Sequence, residues 1–184
     1  MLCAMTDTTQ VDEARARLGR DLVAAAYLEG DFVLSSGQHS RYYFDKYLFE
    51  TKPDILRRLA TALAALVPPG AQRICGTELG AVALAAALSL ETNLPFVIAR
   101  KGAKEYSTEK LIEGNLEPGD RVIVVEDIIT SGTQAIRAAE RVVAAGAEVL
   151  GILAVVDREE GGPAAIAAAG FALTTLFDRT SLGV

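Results

Sequence analysis

Apolar residues recur at steps of three and four through Val11, Ala14, Leu18, Leu22, Ala25 and Leu28, the spacing of a helix with one buried face. Thr8 or Thr9 can cap that helix and Gly30 can end it, which leaves residues 1–8 as a flexible tail. Extended pieces at 32–34 and 42–44 flank the turn residues Ser35, Ser36 and Gly37 and predict a hairpin. A second helical stripe, Ile55, Leu56, Leu59, Leu63 and Leu66, opens on Pro53 and stops at Pro68, Pro69 and Gly70. From there the period changes. Short apolar strands at 73–75, 95–99, 122–125, 149–156 and 171–177 alternate with helices at 79–90 and 133–145, and the polar stretch 100–120 holds a short strand at Leu111 and Ile112.

Strands that are apolar on both sides and alternate with helices predict an α/β fold, a parallel-sheet core flanked by helices on two faces. The N-terminal helix and hairpin precede that region as a small lobe. The 184 residues fit one domain, 1–184, with enough chain for a substantial core.

Composition narrows the class. With 51% hydrophobic and 23% charged residues the chain reads as an ordinary globular protein. No apolar run approaches the roughly 18 to 20 residues of a membrane span, and the opening Met1 to Met5 is too short and uncharged for a secretory signal, so a cytoplasmic location is expected. Cys3 and Cys75 make neither a disulfide framework nor a metal-ligand spacing. The lone His39 reads as a surface loop residue. A net charge of -6 argues against nucleic-acid binding, which draws on Lys and Arg to neutralise phosphates.

Candidate chemistry gathers where the 122–125 strand ends. Glu126 and Asp127 are followed by two isoleucines and then by Thr130, Ser131, Gly132 and Thr133 at a helix start. Ligands of an open parallel sheet collect at such carboxyl ends. Gly132 lets a ligand approach the backbone, free amides at the helix start point at an anion, and the three hydroxyls add donors. Two adjacent carboxylates would repel a bare phosphate. They suit vicinal sugar hydroxyls, which can donate to them directly or through a divalent ion. The pattern therefore predicts a site for a phosphorylated ribose. Either half alone reads as an ordinary capped helix; the order and spacing of the two halves make the signal specific. The sequence contains neither Gly-x-x-x-x-Gly-Lys-Ser/Thr nor Gly-x-Gly-x-x-Gly.

The run 124–132 resembles the phosphoribosyl-pyrophosphate signature of type I phosphoribosyltransferases, and the resemblance implies that family's fold. Three further stretches resemble the orotate phosphoribosyltransferases within it. Arg100, Lys101 and Lys104 open a polar segment, 100–118, similar to the family's flexible catalytic loop; cations so placed can close over a departing pyrophosphate, some of them across a dimer interface. Where that loop has a histidine, this chain has Tyr106, whose phenol donates a hydrogen bond but lacks an imidazolium's charge. The segment 34–45, in a base-covering lobe spanning 31–45, offers Tyr43 or Phe44 to stack on a pyrimidine and groups around Ser36 to read its edge. At 155–162 the pair Asp157 and Arg158 resembles the orotate-recognising element, because a guanidinium holds a carboxylate through two parallel hydrogen bonds. An isolated arginine there would be a surface ion pair. The turn from Gly76 to Ala81 adds amides that can hold pyrophosphate.

The resemblance implies reversible transfer of a phosphoribosyl group from phosphoribosyl pyrophosphate to orotate. Lys101, Lys104 and Asp127 are then catalytic, with substrate contacts from Arg100, Tyr106, Glu126, Asp127, Thr130, Ser131, Gly132, Thr133, Arg158, Ser36, Tyr43 and Phe44. Magnesium held mainly by substrate and a homodimer with shared active sites come with the family. Two alternatives stay open: an adenine-type purine phosphoribosyltransferase, which shares the signature, and a non-enzymatic regulator that senses phosphoribosyl pyrophosphate. Asp157, Arg158 and the aromatic segment favour orotate over adenine, and the acidic balance disfavours a nucleic-acid-binding regulator.

Overall fold

The computed structural model describes residues 2–33, 39–102 and 111–184. Its sheet is built from β3 (Arg73–Thr77), β4 (Phe96–Ala99), β5 (Ile112–Glu113), β6 (Arg121–Ile129), β7 (Glu148–Asp157) and β8 (Leu173–Asp178), in the order β5-β4-β3-β6-β7-β8. Neighbours run parallel, except that β5 closes one edge antiparallel to β4. The continuous apolar runs follow from burial on both faces. Ile123, Val125, Leu153 and Val155 pack with Leu18 and Leu22 of α1 (Leu2–Ala26), Leu59 and Leu63 of α3 (Pro53–Ala64) and Leu84 and Leu88 of α4 (Ala81–Thr92). Val122, Val124, Ile152 and Ala154 pack with Ala135, Ala138 and Val142 of α5 (Thr133–Ala144) and Ile166 of α6 (Gly162–Ala168). The expected α/β layering is present, with a mixed rather than wholly parallel sheet.

The N-terminal region departs from expectation at both ends of its helix. Residues 2–8, expected as a tail, are helical, and the helix runs through Thr8 and Thr9 without a cap; neither Gly nor Pro interrupts it before Gly19, and Leu, Ala and Met favour helix. It stops at Ala26, four residues before Gly30. Tyr27–Val33 is β1, antiparallel to β2 (His39–Phe44), with Gly30 inside the irregularity between Glu29 and Phe32. Cross-strand ring pairs explain the switch: Tyr27 stacks on Tyr42 at 5.7 Å and Phe32 tilts on Tyr43 at 5.5 Å, a gain available only to a strand. The predicted hairpin is therefore present and longer than its apolar pieces suggest.

Three short helices went unpredicted, α2 (Lys46–Glu50), α6 and α7 (Arg179–Leu182), since none spans enough turns to show a period. Conversely, β6 extends past Val125 and stays paired with β7 as far as Ile129 opposite Asp157, so Glu126 and Asp127 lie within a strand instead of beyond one. The β-branched Ile128 and Ile129 carry it on. Among the described residues no helix is long and apolar enough to cross a membrane.

Candidate active site

The end of β6 and the start of α5 bring together Thr130, Ser131, Gly132 and Thr133. Gly132 sits at φ 76° as the residue before α5, a left-handed conformation that glycine adopts without strain. A Cβ there would also press on Ile166 at 3.0 Å and on the Gly162 carbonyl at 3.1 Å. No side chain caps α5 and its first turn holds no acid, so its first amides remain for an incoming anion. The exposed Ser131 and Thr133 hydroxyls lie 2.9 Å apart, and Thr130 is half-buried behind them.

The two acids are held by different neighbours. Glu126, 6% exposed, accepts a 2.7 Å hydrogen bond from the Thr77 hydroxyl at the end of β3 and a 3.2 Å bond from the Asp127 backbone N–H, both on Oε1. Its Oε2 is buried and has no hydrogen-bond partner among the described residues. Asp127, 1% exposed, accepts from the Ile128 N–H on Oδ1 at 2.6 Å and meets the Lys46 ammonium on Oδ2 at 2.6 Å. Gly80, in the turn from β3 to α4, is the surface against which that ion pair lies: a Cβ on it would overlap Asp127 Oδ2 and come within 2.6 Å of Lys46 Nζ.

A third acid completes the cluster. Glu50, 3% exposed, stands one turn after Lys46 on α2. Burial, the Asp127 charge and a hydrogen bond to Asp127 push its carboxyl up to about 9, against the pull of Lys46. Burial and the Asp127 charge likewise push Glu126 up to about 8. Burial on its own would depress the Lys46 ammonium, but Asp127, with Glu126 and Glu50, carries it above the ordinary lysine value.

These shifts predict a pH profile. The folded protein keeps protons on Glu50 and Glu126 at pH values where the unfolded chain, releasing them near 4.5, has lost them. The folded state then binds more protons, so the cluster's stabilisation is complete below about pH 4.5 and is lost as pH rises through about 8 to 9. Glutamine at position 50 mimics the neutral acid permanently. The stability difference between Glu50→Gln and the parent should therefore shift in favour of the variant as pH rises, read by thermal unfolding across that window; parallel curves would reject the assignment.

The remaining predicted residues divide. Arg158 follows β7 directly, and its N–H donates to the Ile129 carbonyl at 2.9 Å, which places it beside the 130–133 loop; its guanidinium pairs with Glu160 at 2.7 Å. The Arg100 guanidinium turns to Glu113 at 3.2 Å. Lys101 is exposed, and its N–H donates to Glu78 at 2.7 Å. Tyr43 is 41% exposed, whereas Phe44 is buried against Phe49 with ring centroids 6.2 Å apart. Phe44 is thus part of the core that also holds Leu18, Leu22 and Ile123, and the exposed ring of the pair is Tyr43, as alternation along a strand requires. Ser36, Lys104 and Tyr106 lie outside the described residues.

Sequence reasoning missed Lys46, Glu50 and Arg141, and it read Thr77 and Gly80 only as members of the 76–81 turn, without their contacts to Glu126 and Asp127. Arg141 on α5 donates to the Lys101 carbonyl at 3.1 Å and also to that of Arg100, anchoring the start of the polar segment. One signal for Lys46 and Glu50 was available: Asp45, which caps α2 by accepting from the Tyr47 N–H, stands before a Lys and Glu four apart. His39 is exposed and pairs with Asp31 at 3.0 Å across the hairpin. Cys75 is fully buried in β3, and burial pushes its thiol up to about 12.

Comparison with known proteins agrees with this geometry. The model of the phosphoribosyl transferase domain matches residues 73–170. An orotate phosphoribosyltransferase of Methanocella arvoryzae is 43% identical over 83% of this chain and 87% of its own. That of Halobacterium salinarum is 46% identical over 88% of this chain and 95% of its own. A crystal structure of Mycobacterium tuberculosis orotate phosphoribosyltransferase in complex with Fe(III) dicitrate superposes with a TM-score of 0.84 at 30% identity, covering 93% of this chain and 99% of that one. With its signature strand, its uncapped α5 and these likenesses over most of its length, the chain belongs to the orotate phosphoribosyltransferases of the type I phosphoribosyltransferase family.

Proposed function

We propose that the protein transfers the phosphoribosyl group of phosphoribosyl pyrophosphate to orotate, forming orotidine monophosphate and pyrophosphate on the route to UMP. The observation that carries this reading is the adjacency of three features at the carboxyl ends of β6 and β7: buried acids, an uncapped α5 and the guanidinium-bearing Arg158. The α5 amides and the hydroxyls of Thr130, Ser131 and Thr133 hold the 5′-phosphate. Glu126, with its unpartnered Oε2, and Asp127 lie under the ribose, where both accept from its hydroxyls and the Asp127 carboxylate stabilises the cation that develops as the bond to pyrophosphate breaks.

Arg158 leaves Glu160 for the orotate carboxylate, Tyr43 covers the pyrimidine with help from Ser36, and Arg100, Lys101, Lys104 and Tyr106 attend the leaving group. No protein nucleophile is needed, because alignment of the base nitrogen with the anomeric carbon and charge stabilisation supply the acceleration. Among the described residues no group of three or more His, Cys, Asp or Glu side chains is arranged to hold a metal ion. Magnesium fits the acid-rich site as an ion carried mainly by pyrophosphate and ribose oxygens, where it would share the negative charge of the leaving group. A homodimer with shared active sites and a cytoplasmic location belong to the same reading.

One assay tests it: pyrophosphate release from phosphoribosyl pyrophosphate and magnesium with orotate, with adenine or with no base. Release should require orotate, and release with adenine instead would replace the reading by the purine one. In the same assay Arg158→Ala should raise the orotate KM about 10- to 100-fold, the worth of hydrogen bonds to a charged group, while the KM for phosphoribosyl pyrophosphate is retained. Unchanged orotate kinetics would remove Arg158 from the site.

A further inference from the structure

We propose that Lys46 is a positioning residue for this reaction, holding Asp127 in the orientation that the ribose site requires. The inference rests on the role at the ribose proposed for Asp127 above.

The placement of Lys46 is specific. Asp45 ends the hairpin and caps α2, so Lys46 is the first residue of a helix rooted in the lobe that covers the base, yet its ammonium reaches β6. There it takes Asp127 Oδ2 at 2.6 Å while the Ile128 N–H takes Oδ1 at 2.6 Å. Oδ1 is fixed by a hydrogen bond and Oδ2 by the ion pair alone, against Gly80, whose lack of a Cβ leaves room for that pair. The carboxylate is only 2% exposed at its side chain and the ammonium 31%, so the pair spans from the interior to the mouth of the site, where screening is weak.

Asp127 meets this ammonium directly, and Glu126 and Glu50 stand close enough to favour its charge. Glu50 Oε1 and Glu126 Oε2 are both buried without a hydrogen-bond partner among the described residues. Without Lys46, Asp127 Oδ2 would lose its ion pair and be free to rotate, and the acceptor geometry offered to the ribose hydroxyls would be lost. Lys46 therefore acts through Asp127 and touches no reacting atom.

A double-mutant cycle on the full chain tests this, using steady-state kinetics of the parent, Lys46→Met, Lys46→Arg, Asp127→Asn and Lys46→Met combined with Asp127→Asn. Lys46→Met should raise the KM for phosphoribosyl pyrophosphate and lower kcat, so that kcat/KM for this substrate falls about tenfold or more, with the orotate KM within about twofold. Lys46→Arg should recover most of the loss. The combined variant should be no slower than Asp127→Asn alone, because a residue acting through Asp127 has nothing left to position. Losses that multiply would overturn the proposal, as would a fall in kcat with both KM values unchanged, the mark of a smaller folded fraction. A fully active Asp127→Asn would remove Asp127 from the ribose site and the inference with it. Should Lys46→Met fail to fold by circular dichroism, Lys46→Gln, which also removes the ammonium, takes its place in the cycle.

Discussion

In the Asp127→Asn protein, turnover is expected to fall about 10²- to 10³-fold, the usual cost of removing one group aimed at transition-state charge. Thermal unfolding should move by only a few degrees, which for a chain of this size corresponds to about 1 kcal/mol. The asymmetry follows from the neighbours. Asparagine keeps the acceptor that meets the Ile128 N–H, and its loss of charge relieves the repulsion that burdens Glu50 and Glu126. Lys46 is not stranded either, since that relief makes it easier for Glu50 or Glu126 to give up its proton and face the ammonium as a carboxylate. Removing one partner of a buried pair is costly when the other is left uncompensated; here two acids remain to compensate. Matching turnover with unfolding on the same preparation decides the matter. Equal losses in both would mark Asp127 as a structural acid.

The division between what could be read from the sequence and what could not has a physical cause. The strand-to-helix loop at 126–133 was legible because its chemistry is contiguous: acids, hydroxyls and a glycine at fixed spacing on one turn of backbone. The three-layer core was legible for a similar reason, as Val122 to Val125 and the stripe through Leu59 and Leu63 carry their own period. Lys46, Glu50 and Gly80 were not, because nothing in their local sequence says that a five-residue helix and a distant turn converge on the same carboxylate. Gly30 illustrates the opposite error: it carries a helix-ending signal, yet pairing with Tyr42 and Tyr43 had already drawn the chain into a strand. Phe44 shows the limit for aromatics, since adjacent rings on a strand face opposite ways and only the fold decides which one is the core.

Gly80→Ala should be the most damaging of the small substitutions. Backbone conformation alone predicts the reverse, because Gly80 lies in the right-handed helical region at the start of α4, where alanine gains roughly 0.5 to 1 kcal/mol from reduced freedom of the unfolded chain. The contact decides otherwise. The added methyl would overlap Asp127 Oδ2 and stand 2.6 Å from Lys46 Nζ, and Asp127 cannot retreat, being nearly fully buried and tied to the Ile128 N–H. Overpacking combined with a broken buried ion pair costs about 3 kcal/mol or more, several times the backbone gain. At this chain length that is a fall of about 6 to 12 °C in Tm, accompanied by a higher KM for phosphoribosyl pyrophosphate because the ribose acids are displaced. A Tm within about 2 °C of the parent with unchanged kinetics would show that Lys46 and Asp127 can part without consequence, and would count against the ion pair as the organising contact of the site.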